Sequence, residues 1–306
     1  MSTVLATSAG SGTAYEPPPE PVAGGRRRRW LPYALLLPGF AWLGLFFAAP
    51  MVSLFTTSLY DPSGSEETGY QLTWAFGNYW DALDLYHEQF LRSLLYAFIA
   101  TVACLILGYP LAYAIAVKGG RWKNLMLVGV IAPFFTSFLV RTLAWKTILS
   151  DHWIVVGGLK RVFALGDDFH LINTEFSVIA GLTYNFLPFM VLPLYASLEK
   201  LDPRLLEAAN DLYATPWRTF RQVTLPLSLP GVVSGTLMTF IPAAGDYINA
   251  ELLGNPKTTM IGNVVQSRFL TIHDYPLAAA LSFVLMAGIL IMVLIYVRRA
   301  GTDEVV

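Results

Sequence analysis

Six apolar blocks, each long enough to cross a lipid bilayer, constrain this chain more than any other feature. They lie at about residues 31–59, 90–117, 124–148, 176–198, 229–251 and 276–297. A helix rises 1.5 Å per residue, so about 20 apolar residues cover a hydrocarbon core of about 30 Å. Lipid offers no water to exposed backbone N–H and C=O groups, and a helix pairs them within one segment. The expected fold class is an all-α integral membrane protein with six transmembrane helices. The composition agrees: 55% of residues are hydrophobic and 13% charged, against about 25% charged in soluble domains.

Basic residues orient the blocks. Arg26 to Arg29 precede the first, and Lys118, Arg121 and Lys123 lie between the second and third. Lys200, Arg204, Arg218 and Arg221 lie between the fourth and fifth, and Arg298 and Arg299 follow the sixth. These are thirteen of the 20 Lys and Arg residues, whereas the stretch 60–89 carries Asp61, Glu66, Glu67, Asp81, Asp84 and Glu88 and no Lys or Arg. The positive-inside rule then expects both termini in the cytoplasm.

The flanks are polar. Residues 1–30 are rich in Ser, Gly, Pro and Glu and end in the arginine run, so a disordered basic tail is expected there, with a short C-terminal tail at 300–306. The first apolar run is about twice the length of a signal-peptide core, which implies an uncleaved span and a membrane domain over 31–299. A net charge of −1 leaves no electrostatic footprint for nucleic acid. The single Cys104 excludes an internal disulfide. His87, His152, His170 and His273 have no metal-ligand spacing, so no metal is expected. No GxxxxGK[ST] phosphate loop is present, so the chain does not hydrolyse ATP in the P-loop manner.

The polar segment 199–228 interrupts this pattern between the fourth and fifth blocks, on the expected cytoplasmic side. Asp202 can cap a helix that starts at Pro203 and runs to about Tyr213, with Leu205, Ala209 and Leu212 on one stripe. Thr215-Pro216 starts a second helix in the same way, with Trp217, Phe220 and Thr224 along one side. Helices of about ten residues are not stable alone in water, so both need something to pack against. That can be the chain's own bundle or a soluble partner.

The stretch EAANDLYATPWRTFRQVTLPLSLPG resembles the EAA loop of ABC-importer permeases, EAA-x3-G-x9-[IV]-x-LP. Glu207, Ala208, Ala209, Val223, Leu225 and Pro226 match, and Tyr213 stands at the family's glycine position. The resemblance implies a coupling loop, seated in a groove of a separate ATPase, comprising Glu207, Ala208, Ala209, Tyr213, Ala214, Pro216, Trp217, Phe220, Leu225 and Pro226. The backbone at Tyr213 is expected to be helical or extended, since a left-handed conformation costs a side chain about 1–2 kcal/mol.

Two further stretches, IAPFFTSFLVRTLAWKTIL (131–149) and FIPAAGDYINAELLGNPKTTMIGNVVQSRF (240–269), extend the resemblance to the permeases of spermidine/putrescine-type importers. With the first block the similarity covers most of 31–297, and it is to the first permease of a heterodimeric pair. It implies the type I ABC-importer permease architecture and location in the bacterial inner membrane. It implies as partners a second permease, two ATPase subunits that bind ATP and Mg, an extracytoplasmic substrate-binding protein and the bilayer. It also implies no cofactor on this chain and no enzymatic activity of its own. Iron(III), sulfate and molybdate permeases share much of the pattern and are alternative substrate assignments; an ion-driven carrier and a membrane scaffold are alternative classes.

Ionisable residues within a span are costly and mark functional sites. Arg141, Asp246 and Glu251 fall in the outer parts of their blocks. Counted at 1.5 Å per residue from the cytoplasmic side, Arg141 and Asp246 both reach about 25 Å, so they can form an ion pair. Alternatively Asp246 or Glu251 offers a carboxylate to a passing ammonium, with Pro242 and Gly245 interrupting the helix just before. Tyr184, Trp145 and Tyr247 can supply aromatic faces to a cation or simply pack. Asn185 with Pro188 can open the fourth helix.

Overall fold

In the computed structural model the described residues are 31–300, apart from 66, 152, 154, 155, 159 and 161–168. The tails 1–30 and 301–306, with Arg26–Arg29, and also Glu66 and His152 lie outside them. The chain divides into two units, one ending at Met51 and the other starting at Val52. The first contains α1 (Leu31–Leu43) and a wider, π-type turn over Gly44–Ala48. From there α2 runs over Ala49–Ser58.

The second unit is built on α3 (Gly77–Tyr113), α6 (Glu175–Glu199), α9 (Leu229–Ala244) and α12 (Tyr275–Ala300). Helix α3 packs along α6 and α9, and α12 against α3. The core between them holds Ala97, Ala100, Cys104, Ala112, Leu182, Met190, Leu194, Ala243 and Ala244. Lipid gives no hydrophobic drive for helices to associate, so close approach through small residues supplies the attraction. Three glycines mark the closest contacts. A Cβ on Gly108 would lie 3.2 Å from Met190 Cγ, one on Gly235 2.9 Å from Met190 Sδ, and one on Gly231 2.6 Å from Ser197 Cβ.

Two apolar blocks are not single helices. The third breaks into α4 (Lys123–Ile131), a tight turn at Ala132–Phe135 and α5 (Phe138–Ile148), with a bend of 96°. This corrects the expectation of one helix over 124–148. Pro133 removes a backbone donor, and Thr136 (ψ 148°) and Ser137 (ψ 141°) then run extended. The bend also invalidates the height assigned to Arg141, which assumed a straight helix.

The fifth block ends at Ala244 rather than 251; Gly245–Tyr247 is non-helical and a short α10 (Ile248–Leu253) follows. The interruption expected at Pro242 and Gly245 is therefore present. Beyond it, α11 (Ile261–Leu270) packs on α12. Among the described residues four helices are long and apolar enough to cross a membrane, or up to six if each bent pair is one span.

The two ends of the spectrum of glycine environments make a test. Gly231→Ala forces a methyl group against the α6 backbone and should cost about 1–3 kcal/mol. Gly288→Ala, on α12 with nothing within 4 Å, should be neutral or slightly stabilising. Melting temperatures of the two variants in detergent, read by fluorescence-detected size exclusion, check the contrast.

Candidate functional site

The 199–228 segment folds as two short helices. Asp202 Oδ1 accepts the Arg204 N–H at 3.0 Å, and α7 runs Pro203–Asp211, two residues shorter than expected. Thr215 Oγ1 accepts the Arg218 N–H at 3.4 Å, and α8 (Pro216–Thr219) continues through a π-type turn at Phe220–Thr224. Both proline-led starts are thus where the sequence places them. A bend of 65° then joins this helix to α9.

The segment is half rooted and half exposed. The Phe220 ring meets Tyr109 edge-on at 5.4 Å, Tyr109 Oη and Ser228 Oγ share a hydrogen bond of 2.7 Å, and Thr224 and Ala209 are buried. Glu207, Ala208, Pro216 and Pro226 face outward, as do Leu212, Tyr213 (96% exposed) and Trp217 (70%). The Leu205–Ala209–Leu212 stripe is therefore not buried as a unit; only Ala209 is covered. Ala214 and Leu225 are half-buried.

Tyr213 corrects a second expectation. Its φ is +56°, in the left-handed region. The Leu212 N–H donates to the Ala208 carbonyl and the Ala214 N–H to the Ala209 carbonyl, each at 3.1 Å. The second bond spans six residues and closes the helix as a Schellman motif, whose C′ position favours glycine because it demands positive φ. The chain makes this turn with tyrosine at the C′ position, and the ring projects into solvent.

The polar residues of the membrane region gather elsewhere, where α5, α6 and α10 meet. Asp246 Oδ1 accepts the Asn249 N–H at 2.8 Å and the Asn249 side-chain amide at 3.1 Å. Asn249 Oδ1 in turn accepts the Asn185 amide at 3.0 Å, and Asn185 also donates to Thr142 Oγ1 at 3.1 Å. All four residues are buried. The Asn185 carbonyl oxygen has no partner among the described residues. The cluster holds Asp246 at the break after α9.

Arg141 is buried beside Thr142 yet does not pair with Asp246 among the described ion pairs. Its guanidinium lies over the rings of Phe134 (5.1 Å) and Phe138 (5.6 Å), with Nε and Nη1 lacking hydrogen-bond partners among the described residues. The bend at Thr136–Ser137 carries it onto these rings. Glu251 is more exposed, and its Oε2 accepts the Asn263 amide at 3.2 Å, while Asn263 also donates to the Tyr247 carbonyl at 2.8 Å. Trp145 and Tyr184 meet edge-on at 5.3 Å.

The structure thus brings Asp246 and Asn185 together, links Glu251 to the Tyr247 backbone through Asn263, and leaves Arg141 on its own aromatic pair. Sequence reasoning missed Thr142, Asn249 and Asn263. Two asparagines and a threonine within apolar stretches were the available signal, weaker than a formal charge. His170, read as no ligand, hydrogen-bonds Asp151 at 2.6 Å and thereby holds that carboxyl below its usual range.

Long apolar helices, two of the apolar blocks broken, and a capped helical knob outside the bundle are the features of a multi-pass membrane protein. Residues 108–300 match the family model described as binding-protein-dependent transport system inner membrane component, and the chain belongs to that family. It is a multi-pass inner-membrane protein. The chain is 39% identical over 260 residues to the spermidine/putrescine transport system permease protein PotB of Escherichia coli, covering 85% of this chain and 94% of that protein. It is 36% identical to the PotB of Haemophilus influenzae, with 85% and 90% covered. Among solved structures it is similar to a bacterial ABC transporter involved in import of the acidic polysaccharide alginate, with a TM-score of 0.67 over 90% of this chain and 97% of that one. At 20% identity the latter likeness establishes the fold alone.

Two outcomes follow from the geometry. Asn249→Ala removes the hub of the cluster and leaves Asp246 with only the residue-249 N–H and the Asn185 amide with only Thr142 Oγ1. At about 1–3 kcal/mol for each unsatisfied buried group, it should lower the melting temperature, whereas Thr271→Ala at the exposed end of α11 should not. Tyr213→Gly should raise loop stability by about 1 kcal/mol, while β-branched Tyr213→Val should lower it. Hydrogen exchange of the Ala214 amide reads the turn directly.

Proposed function

We propose that this chain is one permease subunit of a type I ABC importer for polyamines. The chain would cross the membrane six times with both termini in the cytoplasm, each bent pair forming one span. The observation that carries the docking role is the exposed knob of Glu207, Ala208, Tyr213 and Trp217 rooted through Phe220 and Ser228 in the core. A separate ATPase subunit, holding ATP and Mg, would receive this knob; this chain binds no cofactor and catalyses no reaction itself. A second permease would complete the pathway, a second ATPase the motor, and an extracytoplasmic binding protein would deliver substrate.

The polyamine assignment draws on the similarity to spermidine/putrescine permeases along most of the chain. It also draws on a buried carboxylate at a helix break. Closure of the ATPases would drive the loop, and with it α9, whose far end carries Asp246. In that site Asp246 supplies the charge for an ammonium group and the unpartnered Asn185 carbonyl a further acceptor. Glu251, Tyr247, Trp145 and Tyr184 would line the approach.

One observation favours a second reading. The Arg141 guanidinium, whose Nε and Nη1 have no hydrogen-bond partner among the described residues, suits an oxyanion such as sulfate or molybdate. The reconstituted complex separates the two when offered labelled spermidine, putrescine, iron(III) and sulfate. Polyamine uptake that falls at least several-fold in Asp246→Asn, and transport lost in Glu207→Ala with the protein still in the membrane, is the expected result. Sulfate uptake abolished by Arg141→Gln would replace the polyamine reading. Transport and stimulated ATP hydrolysis unchanged in Glu207→Ala would remove the coupling role.

A further inference from the structure

Helix α3 and its continuation are too long for the bilayer. Gly77–Lys118 is 42 residues, about 63 Å at 1.5 Å per residue, against about 40–45 Å for a membrane including its headgroups. Measured from Lys118, that thickness is used up near Phe90, so the turns from Gly77 to Gln89 have no span to fill. The backbone marks the division: Tyr86 leaves helical geometry (φ −125°, ψ 16°) inside the helix.

The depth of this first segment is set by hydrogen bonds. Asn78, buried, donates through Nδ2 to the carbonyls of Ser58 and Tyr60, each at 2.9 Å. Tyr79 Oη and Ser58 Oγ share a hydrogen bond of 2.7 Å. Ser58 ends the helical stretch Leu36–Ser58 that qualifies as the first span. The start of α3 therefore lies at the level where that span leaves the hydrocarbon.

At 100° per residue the segment has three faces. Asn78 and Ala82 fall on the buried one. Phe76, Trp80 and Leu83 fall together on a second and are 62%, 74% and 43% exposed. Asp81 and Asp84 fall on a third, between the aromatic and buried faces, and are exposed. Trp74, also exposed, sits in the turn just before, at φ +55°. Below the kink the exposed side of the same helix continues as Leu91, Leu95, Phe98, Val102 and Ile106.

We infer that Gly77–Leu85 is an interfacial helix that rests on the outer leaflet, with Trp74, Phe76, Trp80 and Leu83 sunk into the boundary between phospholipid headgroups and acyl chains. Indole and phenyl rings favour that boundary, and an amphipathic helix of this kind buries its apolar edge about 5–10 Å. The acidic face then points to water, and lipid continues down the Leu91–Ile106 stripe. A docking protein is disfavoured because the aromatic edge is held at membrane level by the Asn78 bonds. The anchor would fix the height of the 60–89 loop, and with it the acidic mouth of the molecule, against the bilayer.

The test is depth by spin labelling of the whole complex in liposomes of phosphatidylethanolamine and phosphatidylglycerol. Nitroxides are attached to Trp80→Cys, Phe76→Cys and Asp84→Cys, each in a Cys104→Ala background. Labels at 76 and 80 should be relaxed by dissolved oxygen more than by a water-soluble nickel chelate, and the label at 84 the reverse. Equal nickel access at 76, 80 and 84 places the edge in water and overturns the inference. Shielding of 76 and 80 from both reagents places them against protein and overturns it as well. Two labelled edge positions keep the test decisive if one variant does not assemble.

Discussion

Within a bilayer, a helix that stops must find replacement partners for its backbone inside the protein, because lipid supplies none. That constraint organises the polar chemistry of this molecule. Where α9 ends at Ala244, the Asp246 N–H donates to the Ala243 carbonyl. The Asp246 carboxylate accepts the N–H of Asn249, the second residue of the following helix, and the Asn263 amide donates to the Tyr247 carbonyl. The asparagines that satisfy this break also tie it to α5 and α6 through Thr142 and Asn185. A buried carboxylate at this position is thus a consequence of how the break is closed.

The break and the exposed knob are joined by one rigid element. Helix α9 has 16 residues, about 24 Å at 1.5 Å per residue. Its first turn follows Ser228, hydrogen-bonded to Tyr109, and its last precedes Gly245 and Asp246. Gly231 and Gly235 bring it against α6 so closely that an added Cβ would clash. On the proposed reading, displacement of the knob by an ATPase would reach Asp246 without any intermediate hinge in α9. The hinges lie at its two ends: the 65° bend before Leu229 and the non-helical Gly245–Tyr247.

How much of this could be read from the chain depends on the range of the interaction. The apolar blocks, the proline-led helix starts at Pro203 and Pro216, and the interruption near Gly245 follow from local chemistry, and each was legible. The 96° bend was not, because Pro133 alone predicts a kink, and the two extended residues after it answer to packing of α5 on α6 and α10. Arg141 illustrates the cost: a height counted along a straight helix paired it with Asp246, whereas the bend lays it on Phe134 and Phe138. Thr142, Asn249 and Asn263 escaped notice because neutral polar side chains earn attention only when the fold brings them together.

Tyr213 shows the same division at a single residue. The turn that closes α7 needs a positive φ, and the six-residue hydrogen bond from Ala214 to Ala209 enforces it whichever side chain is present. Glycine would occupy that position without strain; tyrosine costs about 1–2 kcal/mol in the free chain. The ring is 96% exposed, as are Leu212 and Trp217 to 82% and 70%. Among the described residues no contact compensates that strain. On the proposed reading that compensation is burial in the ATPase groove, which makes Tyr213 a determinant of which ATPase this subunit accepts rather than a defect in its loop.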